Sequence, residues 1–135
     1  MLGEKILEHS GKITGQRVLP SEGGTPKIET SFQANERLLG VEATTLGTYQ
    51  AVARPGGILF GQGEGVIMTK EGDMATWTGQ GIGRPKGRGM AASWRGCIYY
   101  QTASQKLARL NGIAAVFEYE VDENGNTQGS GWEWK

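Results

Sequence analysis

Residues 61–65 read GQGEG and residues 79–83 read GQGIG, and these two pentapeptides decide the fold that the sequence predicts. Alternate residues of a β-strand share one face, so each pentapeptide leaves three successive positions of a face without a side chain. Glycine weakens a strand, but it permits a sharp bend, a bulge or the close approach of another backbone or a ligand. Two neighbouring strands that bend at the same level favour a sheet that curls into a barrel.

Alternating polar and apolar residues flank the pentapeptides on both sides and predict further strands. The predicted strands cover residues 6–19, 27–38, 41–54, 58–69, 74–84, 90–102, 113–121 and 127–135. Residues 104–110 are long enough only for one or two helical turns, which Ser104 begins and Asn111-Gly112 ends. We therefore predict an all-β fold, with one domain over residues 1–135. It is an antiparallel, closed or nearly closed barrel of about eight strands.

Length and charge limit the classes of partner. A chain of 135 residues is long enough for one domain that buries roughly two-thirds of its unfolded surface. Its 14 basic and 14 acidic residues cancel, so no overall field favours nucleic acid or an anionic membrane. The first residues lack the apolar run of a secretion signal, and no stretch approaches the ~20 apolar residues of a membrane span. The sequence predicts a cytoplasmic protein.

Composition also excludes several chemistries. Cys97 is the only cysteine and His9 the only histidine, which argues against internal disulfides and against metal sites rich in either residue. No window fits a P-loop or the G-x-G-x-x-G dinucleotide pattern. We therefore predict no metal and no cofactor. His9 is expected at the surface or at an end of the barrel, and Cys97 is expected to be an unreactive thiol.

The strand at residues 58–69 has two dissimilar faces. One carries Ile58, Phe60 and Val66 together with Gln62 and Glu64, and the other carries the glycines of residues 61–65. The first face has the bulk, which predicts that it points inward and takes Gln62 and Glu64 into the interior. A two-residue hairpin at Glu71-Gly72 then sets Glu64 opposite Gly79. The alternative is a one-residue shift, which exchanges the faces and exposes Glu64 to solvent.

Glu64 is the predicted catalytic residue, because a carboxylate inside a barrel has its pKa raised by desolvation and can act as a general acid or base. Gln62 is predicted to orient the same ligand. Gln80 joins it only if a bulge turns its side chain inward. Apolar walls of the ligand site are predicted from Trp77, Tyr49 and Tyr100.

Arg84, Lys86 and Arg88 lie in a glycine-bearing turn and form a second, weaker candidate. Their charges and the backbone N–H groups of the turn suit a phosphate or a carboxylate. The alternative is an ordinary solvated turn, because exposed charges are the norm on protein surfaces.

Five stretches carry a resemblance to a known family: residues 61–65 (GQGEG), 81–85 (GIGRP), 90–93 (MAAS), 106–111 (KLARLN) and 132–135 (WEWK). With them, nearly the whole chain resembles a family of small uncharacterised bacterial proteins. It is more distantly similar to the allene oxide cyclase-like, or calycin-like, barrels, which include dirigent proteins. That resemblance implies an eight-stranded barrel, assembly into dimers or trimers, and a lumen that binds or cyclises small hydrophobic molecules. It brings no catalytic residue to this chain.

The leading hypothesis from the sequence is a protein that binds a small, mostly apolar molecule in the barrel and forms a homo-oligomer. A cofactor-free isomerase or cyclase that uses the same cavity is the first alternative, with Glu64 as acid or base and Tyr49 or Tyr100 as hydrogen-bond donor. A structural barrel with a solid core is the second. A cavity of roughly a few hundred Å³ favours binding or catalysis, and a packed interior favours the structural barrel.

Overall fold

Eight antiparallel strands pair in the order of the chain, and the last pairs with the first, which closes the barrel. The computed structural model describes the backbone of residues 1–135 and every side chain except that of Glu22. The strands are β1 (Leu2–Val18), β2 (Lys27–Leu38), β3 (Val41–Arg54), β4 (Ile58–Thr69), β5 (Met74–Pro85), β6 (Ala92–Gln101), β7 (Ala114–Val121) and β8 (Asn126–Trp134). The predicted fold class is confirmed.

Two short 3-10 segments accompany the strands, Glu22–Gly24 between β1 and β2 and Ala108–Gly112 between β6 and β7. The second segment packs on the barrel core, because its Leu110 and the preceding Leu107 are fully buried in one apolar cluster with Leu38 and Ile67. Among the described residues, no helix combines the length and the apolar character that crossing a bilayer needs.

The β4–β5 turn corrects the predicted register. The amide of Thr69 donates to Asp73 O at 2.9 Å, so three residues, Lys70 to Gly72, form the loop where two were expected. Gly72 has a φ of +93°, which suits the last residue of such a three-residue loop. As a result Gly65, and not Val66, lies opposite Trp77. A one-residue shift exchanges the two faces of β4 and turns its glycines inward.

Indole rings fill the space that these inward glycines leave. A Cβ at Gly61 would lie 2.8 Å from the Trp94 ring, and a Cβ at Gly65 would overlap the Trp77 indole. The Trp77 ring is fixed further by its Nε1–H, which donates to Thr45 Oγ1 at 3.1 Å. Gly61 and Gly83 therefore make room for the Trp94 ring and Gly65 for the Trp77 ring, so that these rings fill part of the lumen next to β4 and β5.

We expect Gly65→Ala to lower the free energy of unfolding by about 1–3 kcal/mol, because the added methyl group overpacks the Trp77 indole. Gly15→Ala is the matched control: no atom lies within 4 Å of its added methyl group, and a surface change of this kind shifts stability by about 0.5 kcal/mol or less. Urea unfolding followed by tryptophan fluorescence measures both. Equal stability of the two variants would contradict the close packing of the Trp77 ring on Gly65.

Candidate functional site

A cavity of about 90 Å³ lies in the barrel and is lined by residues of all eight strands. This volume exceeds the roughly 10–15 Å³ that a cavity needs to hold one water molecule. It is well below the roughly 300–1,000 Å³ of drug-sized ligand sites. The cavity is smaller than the size named above as favouring binding or catalysis, and it has room only for a very small molecule.

Seven phenylalanine, tyrosine and tryptophan side chains line the cavity, and Phe32 packs against several of them. The Phe32 ring is stacked on Trp77 with 6.1 Å between ring centres, and it lies 6.1 Å from Tyr49 and 5.8 Å from Tyr119. Tyr49 in turn meets Trp94 edge to face at 5.6 Å. Such offset and edge-to-face pairs hold aromatic rings in fixed positions. The wall is thus apolar, rigid and well suited to a flat ring.

A buried ionisable pair forms the polar part of the wall. His9 on β1 and Glu36 on β2 are directly opposite each other, and His9 Nδ1 lies 2.9 Å from Glu36 Oε2. Both side chains are about 5% exposed and both line the cavity. A carboxylate only accepts hydrogen bonds, so Nδ1–H donates to Glu36. Burying such a pair costs desolvation energy that an apolar pair would not cost.

On the other side of the ring, His9 Nε2 lies 2.9 Å from Thr127 Oγ1. Carboxylate, imidazole and hydroxyl thus stand in line, the order found in Ser-His-Asp hydrolases. The Thr127 side chain is only 1% exposed, however, and does not line the cavity. Its hydroxyl is therefore closed to a substrate, and its role here is to hold the imidazole. What faces the cavity is the Glu36–His9 pair itself.

Two tyrosine hydroxyls inside the barrel lack partners. Tyr100 Oη and Tyr119 Oη are buried, and among the described atoms none makes a hydrogen bond with either. Burial raises the pKa of Tyr100 far above its usual value, and the nearby charge of Glu36 raises it further. Burial also raises the pKa of Tyr119, with a smaller contribution from Tyr49. Both hydroxyls therefore remain protonated donors, and a buried donor without an acceptor costs about 1–3 kcal/mol.

The predicted ligand-binding residues divide between the two faces of the barrel wall. Trp77, Tyr49 and Tyr100 point inward and line the cavity together. Gln62 and Glu64 are exposed on the outer face, so the interior position predicted for them is wrong, because the β4–β5 loop has three residues and not two. Gln62 and Gln80 nevertheless border the cavity, whereas Glu64 does not. Gln80 is exposed as well, as the simple register requires. No bulge turns it inward, and its side chain meets that of Gln62 at 3.5 Å.

The basic turn that carries Arg84, Lys86 and Arg88 forms an ion pair within the chain. Lys86 Nζ lies 3.0 Å from Glu120 Oε1, whereas Arg84 and Arg88 are exposed at the end of β5 and in the turn. Partial burial tends to raise the pKa of Glu120, but hydrogen bonds from Arg95, Ser93 and Lys86 outweigh it and lower that pKa to about 2. One of the three predicted anion-binding cations thus already has a carboxylate partner. Anion binding by this turn stays a prediction.

Sequence reasoning missed His9 and Glu36. The expectation that His9 lies at the surface or at a barrel end is wrong, since its side chain is 5% exposed inside the wall. A signal for Glu36 was present: it continues the inward alternation of Phe32 and Ala34 and precedes the buried Leu38. A carboxylate at an inward position of a strand predicts a buried partner. The partner can be identified only from the pairing of β1 with β2.

Comparisons with known proteins support the fold alone. No family model and no curated protein matches the chain. Among solved structures, it is similar to a protein with unknown function from Clostridium acetobutylicum ATCC 824, at a TM-score of 0.82 and 12% identity over 98% of both chains. For a conserved protein of unknown function from Rhodopseudomonas palustris, the TM-score is 0.82 and the identity is 11% over 99% of both chains. For a β-barrel like protein from Acinetobacter baumannii AYE, the TM-score is 0.83 and the identity is 12%, over 100% of this chain and 96% of that one.

These neighbours agree with the resemblance to small uncharacterised bacterial proteins and with the closed barrel. Identities of 11–12% are too low to transfer an activity or a site residue. None of the three descriptions mentions an allene oxide cyclase. The more distant part of the resemblance therefore stays a prediction.

We expect Glu36→Leu to lower the free energy of unfolding by roughly 3–5 kcal/mol, because it leaves His9 buried without its partner. The double variant His9→Leu/Glu36→Leu should recover most of that loss or exceed the wild type, since an apolar pair needs no desolvation. Chemical denaturation of the three proteins measures this. A double variant less stable than Glu36→Leu would mean that the pair serves the core, and would remove the stability argument for a functional role.

Proposed function

We propose that the barrel lumen binds a small, mostly apolar molecule that carries one hydrogen-bond acceptor. The observation that carries this proposal is the hydroxyl of Tyr100, which lines the cavity, is buried and has no partner among the described atoms. Native proteins rarely leave buried donors unpaired, so such a group indicates a bound water or ligand.

Cavity size sets the upper limit for this molecule. An engineered cavity of about 150 Å³ holds benzene, and the present cavity of about 90 Å³ is smaller. One small ring or a short branched chain is therefore the largest occupant without movement of the wall. The bicyclic or long-chain molecules that the allene oxide cyclase-like resemblance suggests would require the aromatic rings to move.

The arrangement of the wall gives the occupant an orientation. Its apolar part lies against the rings of Phe32, Trp77 and Trp94, and its oxygen accepts from Tyr100. Glu36 lines the same cavity, so a ligand with a donor next to its acceptor gains a second hydrogen bond. Since the pKa of Tyr100 is raised, this donor persists through the whole physiological range.

Cyclopentanone and cyclopentane form a probe pair that differs in one carbonyl oxygen, and ligand-detected saturation-transfer NMR reports their binding. We expect the wild type to bind both and to prefer the ketone. Tyr100→Phe should weaken ketone binding about 3- to 10-fold, the value of one hydrogen bond of about 0.5–1.5 kcal/mol, and leave cyclopentane unchanged. Tyr99→Phe is the matched control, because Tyr99 is its neighbour on β6 and is exposed on the outer face.

Absence of binding for both probes would overturn the proposal and leave the structural barrel with a solid core. If Tyr100→Phe and Tyr99→Phe change ketone binding equally, Tyr100 is not the hydrogen-bond donor. Binding in the cavity would still stand. Native mass spectrometry of gently purified protein, followed by a denatured run, gives an independent test through the mass of any retained molecule.

A cofactor-free isomerase that uses the same cavity is the second candidate, and one observation favours it. Glu64 cannot serve as its base because it is on the outer face, but the Glu36–His9 pair lines the cavity beside Tyr100. In such a reaction the Glu36 carboxylate would take a proton from the carbon next to a carbonyl group. The Tyr100 hydroxyl would donate to the enolate oxygen that develops, and return of the proton to another carbon would complete the isomerisation.

Proton exchange tests this chemistry without knowledge of the substrate. In D₂O, we expect the wild type to accelerate exchange of the cyclopentanone protons next to the carbonyl, followed by NMR, and Glu36→Gln to abolish the acceleration. Glu64→Gln is the matched control, since it makes the same change to an outer carboxylate. If the wild type binds cyclopentanone without accelerating exchange, the enzyme candidate fails and the binding proposal stands.

A further inference from the structure

Glu36 brings an unsatisfied acceptor to the cavity, in addition to the unsatisfied donor of Tyr100. Its Oε2 accepts from His9 Nδ1–H at 2.9 Å, and among the hydrogen bonds of the described residues none reaches its Oε1. The lone pairs of Oε1 are therefore free to accept. A buried carboxylate costs desolvation energy unless donors satisfy its oxygens. The lumen thus holds a donor without an acceptor and an acceptor without a donor.

Tyr100 and Glu36 do not satisfy each other. A hydroxyl and a carboxylate within reach form a short, charge-assisted hydrogen bond, yet the Tyr100 hydroxyl has no partner among the described atoms. The two residues line the same cavity, and the charge of Glu36 contributes to the raised pKa of Tyr100, so they lie near each other without a direct contact. A molecule that bridges them must accept from Tyr100 and donate to Glu36.

The His9 ring holds the Glu36 carboxylate in place and has no nitrogen left for a ligand. Its Nδ1 is paired with Glu36 and its Nε2 with Thr127 Oγ1, both at 2.9 Å. The ring also packs edge to face against Phe32 and Tyr119, with 5.5 and 5.4 Å between ring centres, which fixes its orientation. His9 is therefore a positioning residue, and Glu36 is the residue that meets the ligand.

Charge excludes ionic occupants of the cavity. Among the described residues that line it, none is a lysine or an arginine. A ligand carboxylate would meet the Glu36 carboxylate in a site of low dielectric constant, where like charges repel strongly. A small ammonium ion would pair with Glu36, but it has no acceptor to offer to the Tyr100 hydroxyl. The two unsatisfied groups together therefore fit a neutral molecule.

A single water molecule satisfies both groups, because water donates and accepts, but it leaves most of the cavity empty. A cavity needs roughly 10–15 Å³ to hold one water molecule, and this cavity has about 90 Å³. Phe32, Trp77 and Ile98 belong to the remaining wall, and apolar cavity surface of this kind stays dry. A molecule that joins the same donor and acceptor to a small apolar ring fills both parts.

We propose that the occupant is a small, neutral cyclic alcohol or lactam, whose donor binds Glu36 Oε1 and whose acceptor binds Tyr100 Oη. This inference rests on the proposed function and narrows it, because a ketone, an ester or an ether satisfies Tyr100 alone. In an alcohol, one oxygen bridges the two residues. In a lactam, the carbonyl oxygen accepts from Tyr100 and the N–H donates to Glu36. Both molecules supply the same chemistry, a donor beside an acceptor on an apolar ring.

Probes that share one five-membered ring separate the two hydrogen bonds. Cyclopentane has neither group, cyclopentanone has the acceptor alone, protonated pyrrolidine has the donor alone, and 2-pyrrolidinone and cyclopentanol have both. Saturation-transfer NMR with competition at neutral pH gives their dissociation constants for the wild type. We expect 2-pyrrolidinone or cyclopentanol to bind at least about tenfold more tightly than cyclopentanone, because a hydrogen bond to a charged group is a strong one.

Glu36→Gln tests the assigned acceptor. A glutamine that keeps its oxygen on His9 Nδ1–H turns its N–H₂ group toward the ligand, so that a donor meets a donor. We expect the preference for the two donor-bearing rings over cyclopentanone to fall about tenfold. This ratio of dissociation constants is taken within one variant, so a general loosening of the lumen does not change it. Glu64→Gln makes the same change on the outer face and should keep the wild-type ratio. Thermal unfolding checks that both variants are folded.

The wild-type series decides the inference even if Glu36→Gln does not fold. Tighter binding of either 2-pyrrolidinone or cyclopentanol supports it, and their order tells the lactam from the alcohol. Equal affinity for these two and cyclopentanone overturns it and leaves the binding proposal standing, and tightest binding of pyrrolidine overturns it by showing a cation site. An unchanged ratio in folded Glu36→Gln, or an equal fall in Glu64→Gln, refutes the assigned acceptor. If no probe binds, the proposed function fails and this inference fails with it.

Discussion

The packing of two indole rings on glycine is the constraint on which the rest of the structure depends. Trp77 and Trp94 project into the lumen, and their rings occupy space that only glycine leaves on the facing strands. Gly61 and Gly65 must face inward, and side chains alternate along a strand. Gln62 and Glu64 between them on β4 must therefore face outward. The indoles therefore decide the orientation of a whole strand, and with it the composition of both surfaces of the wall.

Filling the lumen with rings also accounts for what remains open. Aromatic rings packed edge to face leave part of the lumen unfilled. This space is the small cavity bordered by Tyr100, Glu36 and His9. Burying a carboxylate and an imidazole at that point costs energy, and so does burying a tyrosine hydroxyl without an acceptor. These costs are placed together at one cavity, which is the reason for assigning a function to it.

The same alternation that builds the lumen builds the outer surface. Because the glycines of β4 point inward, the residues between them point outward. Glu64 and Gln62 therefore lie on the surface among apolar neighbours. The lumen and the outer surface of β4 are thus two consequences of one register.

The sequence by itself predicted an antiparallel, closed or nearly closed barrel of about eight strands, since the alternation that marks each strand depends only on local residues. The bounds of β2, β3 and β4 agree with it to the residue, and Trp77, Tyr49 and Tyr100 were assigned to the lumen correctly. Only the tertiary structure decided which face of β4 points inward, because both faces alternate and a turn longer by one residue exchanges them. It also decided the partner of His9, since Glu36 lies 27 residues away and only strand pairing brings the two together.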